Sequence, residues 1–560
     1  MLVPDRMARV RIQVHSAYTD SVLHKLAEAG TVEIIDVRHS VEDFVGKLKP
    51  LEASDRLFRI SSVASRAATL LDNLRVQPPQ KRVPVEEPLS DEWLGETEKT
   101  IVLVEQLTTK LQARLSELER SERRSSGDEA EIEKVKGELE ALGKRFGLDL
   151  YLAHELLEIE RKVENSKMSI GATSRTNVIE GWVPLKRIGE TRKIVNNSTD
   201  GCCALTLLPV ELSSHEEHGK APVNAPPTLL SNPGIAQVFE ALTRSFGIPN
   251  YAEIDPTIIM LFSFPLIFGL MFGDVGHGAL VALTGLVLAL ARRRGVRAGE
   301  IGEYFLKGSH LILLCGISSI FFGFFLYDEF FGAEAWHFFG FEAPEIALGP
   351  FKFPVRIMED PMEILRLALY VAMLQISLGL VLRVVNHVRS KEYRQALVGP
   401  ILWLWFYWSA VGYPFLAYGS RMLQVYLSNV TFLLSFLVLP FLVMMISRIA
   451  LHKMEGFGET LESALSSISN TISYARILAL AMAHASFSLM IYRMAASGSL
   501  AFLALAGFLT VLVVSFEGLL VFMHTLRLHW VEWFLKFYSG TGVPYSPLAT
   551  SRTITYVGKS

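Results

Sequence analysis

The hydrophobic positions divide the 560-residue chain near residue 255. Beyond that point apolar residues run in long segments, whereas before it they recur every two, three or four positions. Eight of the apolar segments are long enough to span, or nearly span, a bilayer. They lie near residues 256–273, 275–291, 306–327, 366–384, 399–420, 425–447, 463–492 and 494–526. The pattern predicts an α-helical polytopic membrane domain with eight transmembrane helices.

The polar first half begins with the pattern of an α/β fold. Residues Arg9–Val14 alternate polar and apolar side chains, as a half-buried strand does. Thr19 and Asp20 can cap a helix that runs to about Ala29, where Gly30 ends it. A strand at 31–36 follows, and the same order recurs as a strand at 177–183, a helix at 185–196 and a strand at 203–208. We therefore predict α/β lobes at both ends of this half.

Long charged helices are predicted between the lobes. Apolar residues repeat at spacings of three and four over 104–118 and again over 132–146, with a break at 125–127. This pattern favours an antiparallel, coiled-coil-like helical hairpin, and a helix near 54–76 can pack beside it. The apolar seams can pair within the hairpin while its polar sides bind a partner. We predict a cytoplasmic arm over residues 1–245 and a membrane domain over 246–560.

Composition removes several other classes of protein. Half of the residues are hydrophobic and the formal net charge is −3, which argues against disorder and gives no basic excess for nucleic acid. Three cysteines cannot make a disulfide framework or a four-cysteine zinc site. The histidines of His215–His218 lack the helical spacing of a metalloprotease site, and residues 137–145 fail as a phosphate-binding loop. We predict no metal, no cofactor and no catalytic residues.

Loop charges set the predicted orientation. Basic residues follow the second and fourth spans, whereas the loop after the third span is acidic. Because basic loops stay in the cytoplasm, the acidic loop at 328–365 should lie outside. The first 36 residues also lack the apolar stretch of a secretory signal. An even number of spans then puts both termini in the cytoplasm.

The last two spans contain charges that an ordinary transmembrane helix would exclude. Arg476 and His484 lie in the seventh span, and Glu517, His524 and Arg527 lie in the eighth. A charge at the centre of a helix costs about 2.5–3.5 kcal/mol on insertion scales, so such residues mark ion or proton pathways by default. Two structural alternatives remain open, which are snorkelling of Arg527 to the interface and a salt bridge between Arg476 and Glu517.

Several motifs carry a family resemblance. They are NTISYARILALAMAH at 470–484, LRLHWVEWFLKFY at 526–538, YAEIDPT at 251–257, FGLMFGDVGHG at 268–278 and GWVP at 181–184. With these motifs the chain resembles the membrane subunit of rotary V-type and A-type ATPases and ATP synthases, which is called subunit a or subunit I. It departs from the family pattern at Asn470, where some members have His, and at His524, where many prokaryotic members have Gln. Its cytoplasmic arm also looks shorter than usual.

The resemblance implies roles for particular residues. Arg476 and Arg527 would be the arginines that face the rotating ring of c-type (proteolipid) subunits. Two aqueous half-channels would reach this interface, with polar residues at Glu462, Asn470, Ser473, His484, Glu517 and His524. The other implied partners are peripheral-stalk subunits, the central-stalk or ring adaptor subunit and the lipid bilayer.

The same resemblance implies ATP chemistry on other subunits and a cell membrane of an archaeon or bacterium rather than a eukaryotic endomembrane. The two histidines favour protons over sodium, because histidine titrates near neutral pH and sodium prefers oxygen ligands. The alternative function is a secondary ion-coupled transporter, which should have internal repeats with broken helices. We find no convincing repeat between spans one to four and five to eight.

Overall fold

The computed structural model describes residues 3–36, 49–50, 55–74, 76, 83–85, 91–120, 126–173, 175–209, 225–296, 299–342, 346–348, 351–550, 552 and 554–557. Its contacts divide the chain into two compact units. One consists mainly of Thr228–Val543, and the other mainly of Asp5–Glu211 with Pro544–Ser560. The predicted boundary at residue 245 stays a prediction. The motif His215–His218 lies outside the described residues.

An antiparallel sheet organises the N-terminal unit. Its strands are β1 (Met7–His15), β2 (Glu33–Ile34), β3 (Lys49–Pro50), β5 (Gly171–Ala172), β6 (Thr176–Pro184) and β7 (Cys203–Leu208), while β4 (Val83–Val85) pairs separately with a strand at Thr555–Val557. The order is β3-β5-β6-β1-β7, and β2 also pairs with β6. Here the strand predicted at 31–36 shrinks to two residues.

Alternation explains which face of β1 is buried. Val10, Ile12 and Val14 lie in the core beneath α1 (Thr19–Ala29) and α5 (Ile188–Ser198). On the other face Glu180 is fully buried, and it accepts hydrogen bonds from Arg9 and Arg11 at 3.1 and 2.6 Å. The charged pairs of this face are therefore part of the fold.

Three long helices form the rest of this unit. They are α2 (Asp55–Asn73), α3 (Asp91–Arg120) and α4 (Ser126–Lys167). Val104 and Val135 of the predicted seams are buried, but the core is completed by Leu150 and Leu157, beyond the predicted heptads. The helix α4 thus runs a further 21 residues, from 147 to 167, and packs against α2 as well as α3.

The second unit is almost entirely helical. A short helix α6 (Gln237–Phe246) precedes α7 (Thr257–Met271), α8 (Val275–Arg293), α9 (Glu300–Tyr327), α10 (Pro361–Arg389), α11 (Tyr393–Tyr418), α12 (Val430–His452), α13 (Glu455–Ala495) and α14 (Leu500–Lys536). Within the described residues, the seven from α8 to α14 are long and apolar enough to cross a membrane, whereas α7 is shorter. The chain is therefore a polytopic membrane protein, and the predicted count of eight spans remains a prediction.

The connections between these helices carry small elements. The hairpin of β8 (Glu329–Phe330) and β9 (Ala333–Glu334) follows α9, and a four-residue helix at Ala335–Phe338 comes next. A second hairpin pairs β10 (Ile346–Leu348) with β11 (Phe351–Phe353), and a helix at Met422–Ser428 precedes α12. The strand at Thr555–Val557 is β12.

Close backbone contact fixes α8 against α9. A Cβ added to Gly316 would lie 2.3 Å from the backbone nitrogen of Ala282, and one added to Gly285 would lie 2.4 Å from that of Leu313. Real side chains do not tolerate such distances, so glycine is what lets the two helices approach. This contact fixes the middle of α8 against α9.

Breaks in α13 and α14 position the charged residues. Helix α13 is interrupted at Tyr474, between Glu455–Ser473 and Ala475–Ala495, and the buried Tyr474 hydroxyl donates to Gln375 of α10 at 2.9 Å. Helix α14 contains two π-helical turns, Val513–Glu517 and Leu528–Trp533. Such turns inside α-helices are frequent at functional sites.

Candidate functional site

Arg476 lies two residues after Tyr474, at which α13 is interrupted. Its Nη1 atom lies 3.3 Å from Oε1 of Glu532, which sits in the second π-turn of α14. The Arg476 side chain keeps 21% of its surface, whereas that of Glu532 keeps 2%. The alternative of a salt bridge between Arg476 and Glu517 is therefore wrong, because Arg476 pairs with Glu532 and Glu517 pairs with His484.

An open groove lies on the face of α13 that carries Arg476. Its lining residues are Leu465, Ile468, Ser469, Ile472, Ser473, Ala475, Arg476 and Ala479. Leu465, Ile468 and Ile472 are exposed apolar side chains. Arg476 thus offers the charge in an apolar surface that a membrane helix could contact.

The second predicted arginine lies at the surface of α14. Arg527 is exposed, and His524 one turn earlier is half-buried. His524 is within electrostatic range of both Arg476 and Arg527. The three residues therefore form one basic region on neighbouring helices.

A polar network occupies the first half of α13. Asn470 donates to Ser466 Oγ at 3.2 Å, and Ser466 also accepts a hydrogen bond from Lys536, whose ammonium lies 4.5 Å from the centre of the Trp403 ring. Lys536 was missed as a site residue because the eighth span was predicted to end at residue 526. Ser473 donates back to the carbonyl of Ser469 at 3.0 Å within its own helix and lines the groove instead. Glu462 is exposed at the start of this network and within electrostatic range of Lys536.

A second cluster is fully enclosed. His484 Nδ1 lies 2.9 Å from Glu517 Oε2, and both residues are buried. His277 and His484 approach to 5.1 Å between ring centres, and His277 Nδ1 lies 3.2 Å from Asp274 Oδ2. Asp274 and His277 were noted only as part of a motif, since at a turn between two apolar segments they resemble ordinary loop residues.

The β8–β9 hairpin closes this cluster from one side. Gly332 has a φ of 82°, and a Cβ there would lie 2.4 Å from the Ser488 carbonyl of α13, so the turn requires glycine. The next residue back, Phe331, donates its N–H to Asp274 Oδ1 at 3.1 Å and packs its ring against His277. The hairpin therefore seals the histidines and carboxylates away from solvent.

Glu329 of this hairpin adds a third carboxylate. Burial raises its pKa to about 8, and the charges of His484, Asp274 and Glu517 act on it as well. Its Oε2 atom is buried without a hydrogen-bond partner in the structure. Other buried atoms of the cluster without a hydrogen-bond partner are His277 Nε2, His484 Nε2 and Glu517 Oε1. A group of this kind can hold water, protons or a cation.

Comparison with known proteins gives the family. The model of the V-type ATPase 116 kDa subunit family matches residues 164–343 and 446–550, which together are half of the chain. The matched ranges contain the polar residues of both clusters, whereas Trp403, which contacts Lys536, lies between them. The chain belongs to the V-type ATPase 116 kDa subunit family. The resemblance drawn from the sequence motifs is thereby confirmed.

Individual relatives agree with this assignment. An A-type ATP synthase subunit I of Methanocaldococcus jannaschii is 28% identical over 80% of this chain and 64% of its own. One of Aeropyrum pernix is 30% identical over 74% of this chain and 65% of its own. The human V-type proton ATPase 116 kDa subunit a 3 is 24% identical over 79% and 70%. The chain thus spans just under two thirds of the length of the archaeal relatives.

Proposed function

We propose that this family member is the stator membrane subunit of a rotary V/A-type ATPase or ATP synthase. In this role it carries protons to and from carboxylates on a rotating ring of c-type subunits, while ATP chemistry resides on other subunits. The observation that carries the proposal is Arg476, a charge beside an exposed apolar groove on a membrane helix. The named functions of its relatives support the same role.

Charge explains how Arg476 would act. A ring carboxylate must be neutral while it crosses lipid, because a buried unpaired charge is costly. Beside the Arg476 guanidinium the ionised carboxylate is favoured, so the proton leaves. The fixed positive charges of Arg476 and Arg527 also prevent direct passage of a cation between the two sides. The membrane potential supplies about 2.3 kcal/mol per charge per 100 mV.

The two polar clusters supply separate half-channels in this proposal. Glu462, Asn470 and Ser466 with Lys536 lie toward the start of α13, on the side predicted to be cytoplasmic. His484 and Glu517, with Asp274, His277 and Glu329, lie beneath the loop predicted to be outside. Ser473 and His524 lie between the clusters, near Arg476. Buried polar atoms without protein partners are suited to holding water chains.

Topology can be tested by labelling. Eight spans and the loop charges put both termini in the cytoplasm and the acidic loop outside. In intact cells a membrane-impermeant thiol reagent should label Gly340→Cys, which is exposed in that loop, but not a cysteine at the exposed Lys391 between α10 and α11. The reverse labelling pattern would overturn the orientation.

The N-terminal unit is proposed to bind the peripheral stalk. The exposed polar sides of α3 and α4 offer a surface for helical partners. The central-stalk or ring adaptor subunit is a further proposed partner within the rotary complex. Chemical crosslinking of the intact complex should join this unit to stalk subunits. Crosslinks confined to the unit itself would count against this part of the proposal. A cell membrane of an archaeon or bacterium is the proposed location.

Vesicle assays test both the ion and the mechanism. Reconstituted complex should acidify vesicles on addition of ATP, and His524→Ala should slow this uptake in a pH-dependent way. ATP-driven sodium uptake that persists with an uncoupler would show that sodium is the ion. Ion flux that needs no ATP-coupled complex would favour the alternative, a secondary ion-coupled transporter.

A further inference from the structure

The enclosed cluster contains a set of atoms suited to a metal ion. Asp274, His277 and His484 each direct one ligand atom to within 4.8 Å of the others. All three residues are essentially fully buried, at 0%, 0% and 1% exposure. Asp274 and His277 lie three residues apart at the start of α8, and the fold brings His484 of α13 to this local pair.

We propose that Asp274, His277 and His484 form a binding site for a divalent transition-metal ion of the zinc class. Two imidazoles and one carboxylate suit zinc, whereas magnesium and calcium prefer oxygen ligands alone. Tetrahedral zinc keeps its ligand atoms roughly 3.3 Å apart, given bond lengths of about 2.0–2.1 Å. Asp274 Oδ2 and His277 Nδ1 already lie 3.2 Å apart. A ligand atom of His484 lies within 4.8 Å of both, so a small movement of its ring would complete the set.

The surroundings of the ligands fit this assignment. Glu517 holds Nδ1 of His484 at 2.9 Å and leaves Nε2 without a partner. A carboxylate on the outer nitrogen of a ligating histidine is the usual support for a zinc ligand. Asp274 is fixed in a similar way, because its Oδ1 accepts from the N–H groups of His277 and Phe331 while Oδ2 faces Nδ1 of His277.

Charge balance points in the same direction. The cluster places the carboxylates of Asp274 and Glu517 near two imidazoles in a buried space. Buried negative charge is costly unless it is paired or bound to a metal. A divalent cation would offset that charge, and Glu329 could complete the ligands through its unpartnered Oε2. The bound ion would join the start of α8 to the middle of α13. It would also displace the water proposed for this half-channel, so zinc binding and proton passage exclude one another at this cluster.

Metal binding can be measured without any transport assay. The purified, chelator-treated complex should bind zinc with one more high-affinity equivalent in the wild type than in His277→Gln. X-ray absorption of that zinc should report two imidazoles and one carboxylate. Glu517→Gln should weaken binding about 10- to 100-fold through loss of support for His484. The matched control is His337→Gln, an exposed histidine of the outer loop, which should bind zinc as the wild type does.

Cobalt gives a test that needs no variant. A tetrahedral site should give wild-type complex a visible cobalt absorption that zinc abolishes. Equal zinc content in wild type and His277→Gln, or a bound zinc without imidazole ligands, would overturn the proposal. Wild-type complex that binds neither metal would mean that the cluster serves water and protons only. None of these outcomes depends on whether the complex pumps protons.

Discussion

Replacing Arg476 by alanine should have two separable effects, one on stability and one on transport. At 3.3 Å the attraction between Arg476 and Glu532 is worth about 5 kcal/mol with an effective dielectric constant of about 20. The loss is smaller than this figure, since desolvation opposes the attraction. Breaking a buried ion pair by removing one partner typically costs about 3–5 kcal/mol, because the other charge is left without compensation. We expect the lower end, since Arg476 is partly exposed.

A double variant separates the two effects. In Arg476→Ala/Glu532→Gln the stranded carboxylate is neutralised, so the thermal midpoint of the purified complex should return most of the way to the wild-type value. ATP-driven proton uptake should stay absent in both variants, because the charge that meets the ring carboxylate is missing. Arg476→Lys is the charge-conserving comparison, and incomplete recovery is expected because lysine cannot reproduce the planar guanidinium contact.

Either of two results would refute the reasoning. Restored proton uptake in the double variant would mean that Arg476 serves only to neutralise Glu532. An unchanged thermal midpoint in Arg476→Ala would mean that the ion pair contributes nothing to the fold. Complex content is measured by gel filtration, so that a failure of assembly is not counted as a failure of transport.

Two further predictions follow from the helix contacts and from the outer hairpin. Gly316→Val should destabilise the complex by about 1–3 kcal/mol, the usual cost of overpacking, because its Cβ would lie 2.3 Å from the Ala282 nitrogen. Gly308→Val on the same helix has open space and should leave the thermal midpoint unchanged. The pKa of Glu329 rises from 4.5 to about 8 on folding, so its stabilising contribution is complete below pH 4.5 and is lost as the pH rises through 8. Glu329→Gln should flatten the stability profile between these pH values, whereas Glu334→Gln, exposed on the same hairpin, should keep the wild-type slope.

The spans were predictable because long apolar runs have few alternatives. Each predicted span coincides with one of the helices α7 to α14 over most of its length. Their ends were less predictable, since Glu455–Ser463 is polar in sequence yet continues α13, and Leu528–Lys536 continues α14.

The candidate site was predictable only where charge interrupts an apolar helix. Arg476, His484 and Glu517 are visible for that reason, since their residue type contradicts their surroundings. Asp274 and Glu329 are not, because each lies at the end of a span where polar residues are expected. Their burial depends on tertiary contacts such as the Phe331 hydrogen bond to Asp274. The partner of each charged residue was also not predictable. Glu532 meets Arg476 because it lies in a π-helical turn of α14, and no residue in the sequence signals that turn.

The central claim is that the Arg476 face of α13 meets a rotating ring. Ile472 projects into the groove beside Arg476 and is 62% exposed, whereas Leu283 on α8 is similarly exposed at 57% and lies outside the groove. Disulfide crosslinking should join Ile472→Cys, but not Leu283→Cys, to cysteines placed along the carboxylate-bearing helix of the ring subunit. The crosslink should stop ATP turnover until it is reduced. Crosslinking from Leu283→Cys with none from Ile472→Cys would contradict the account.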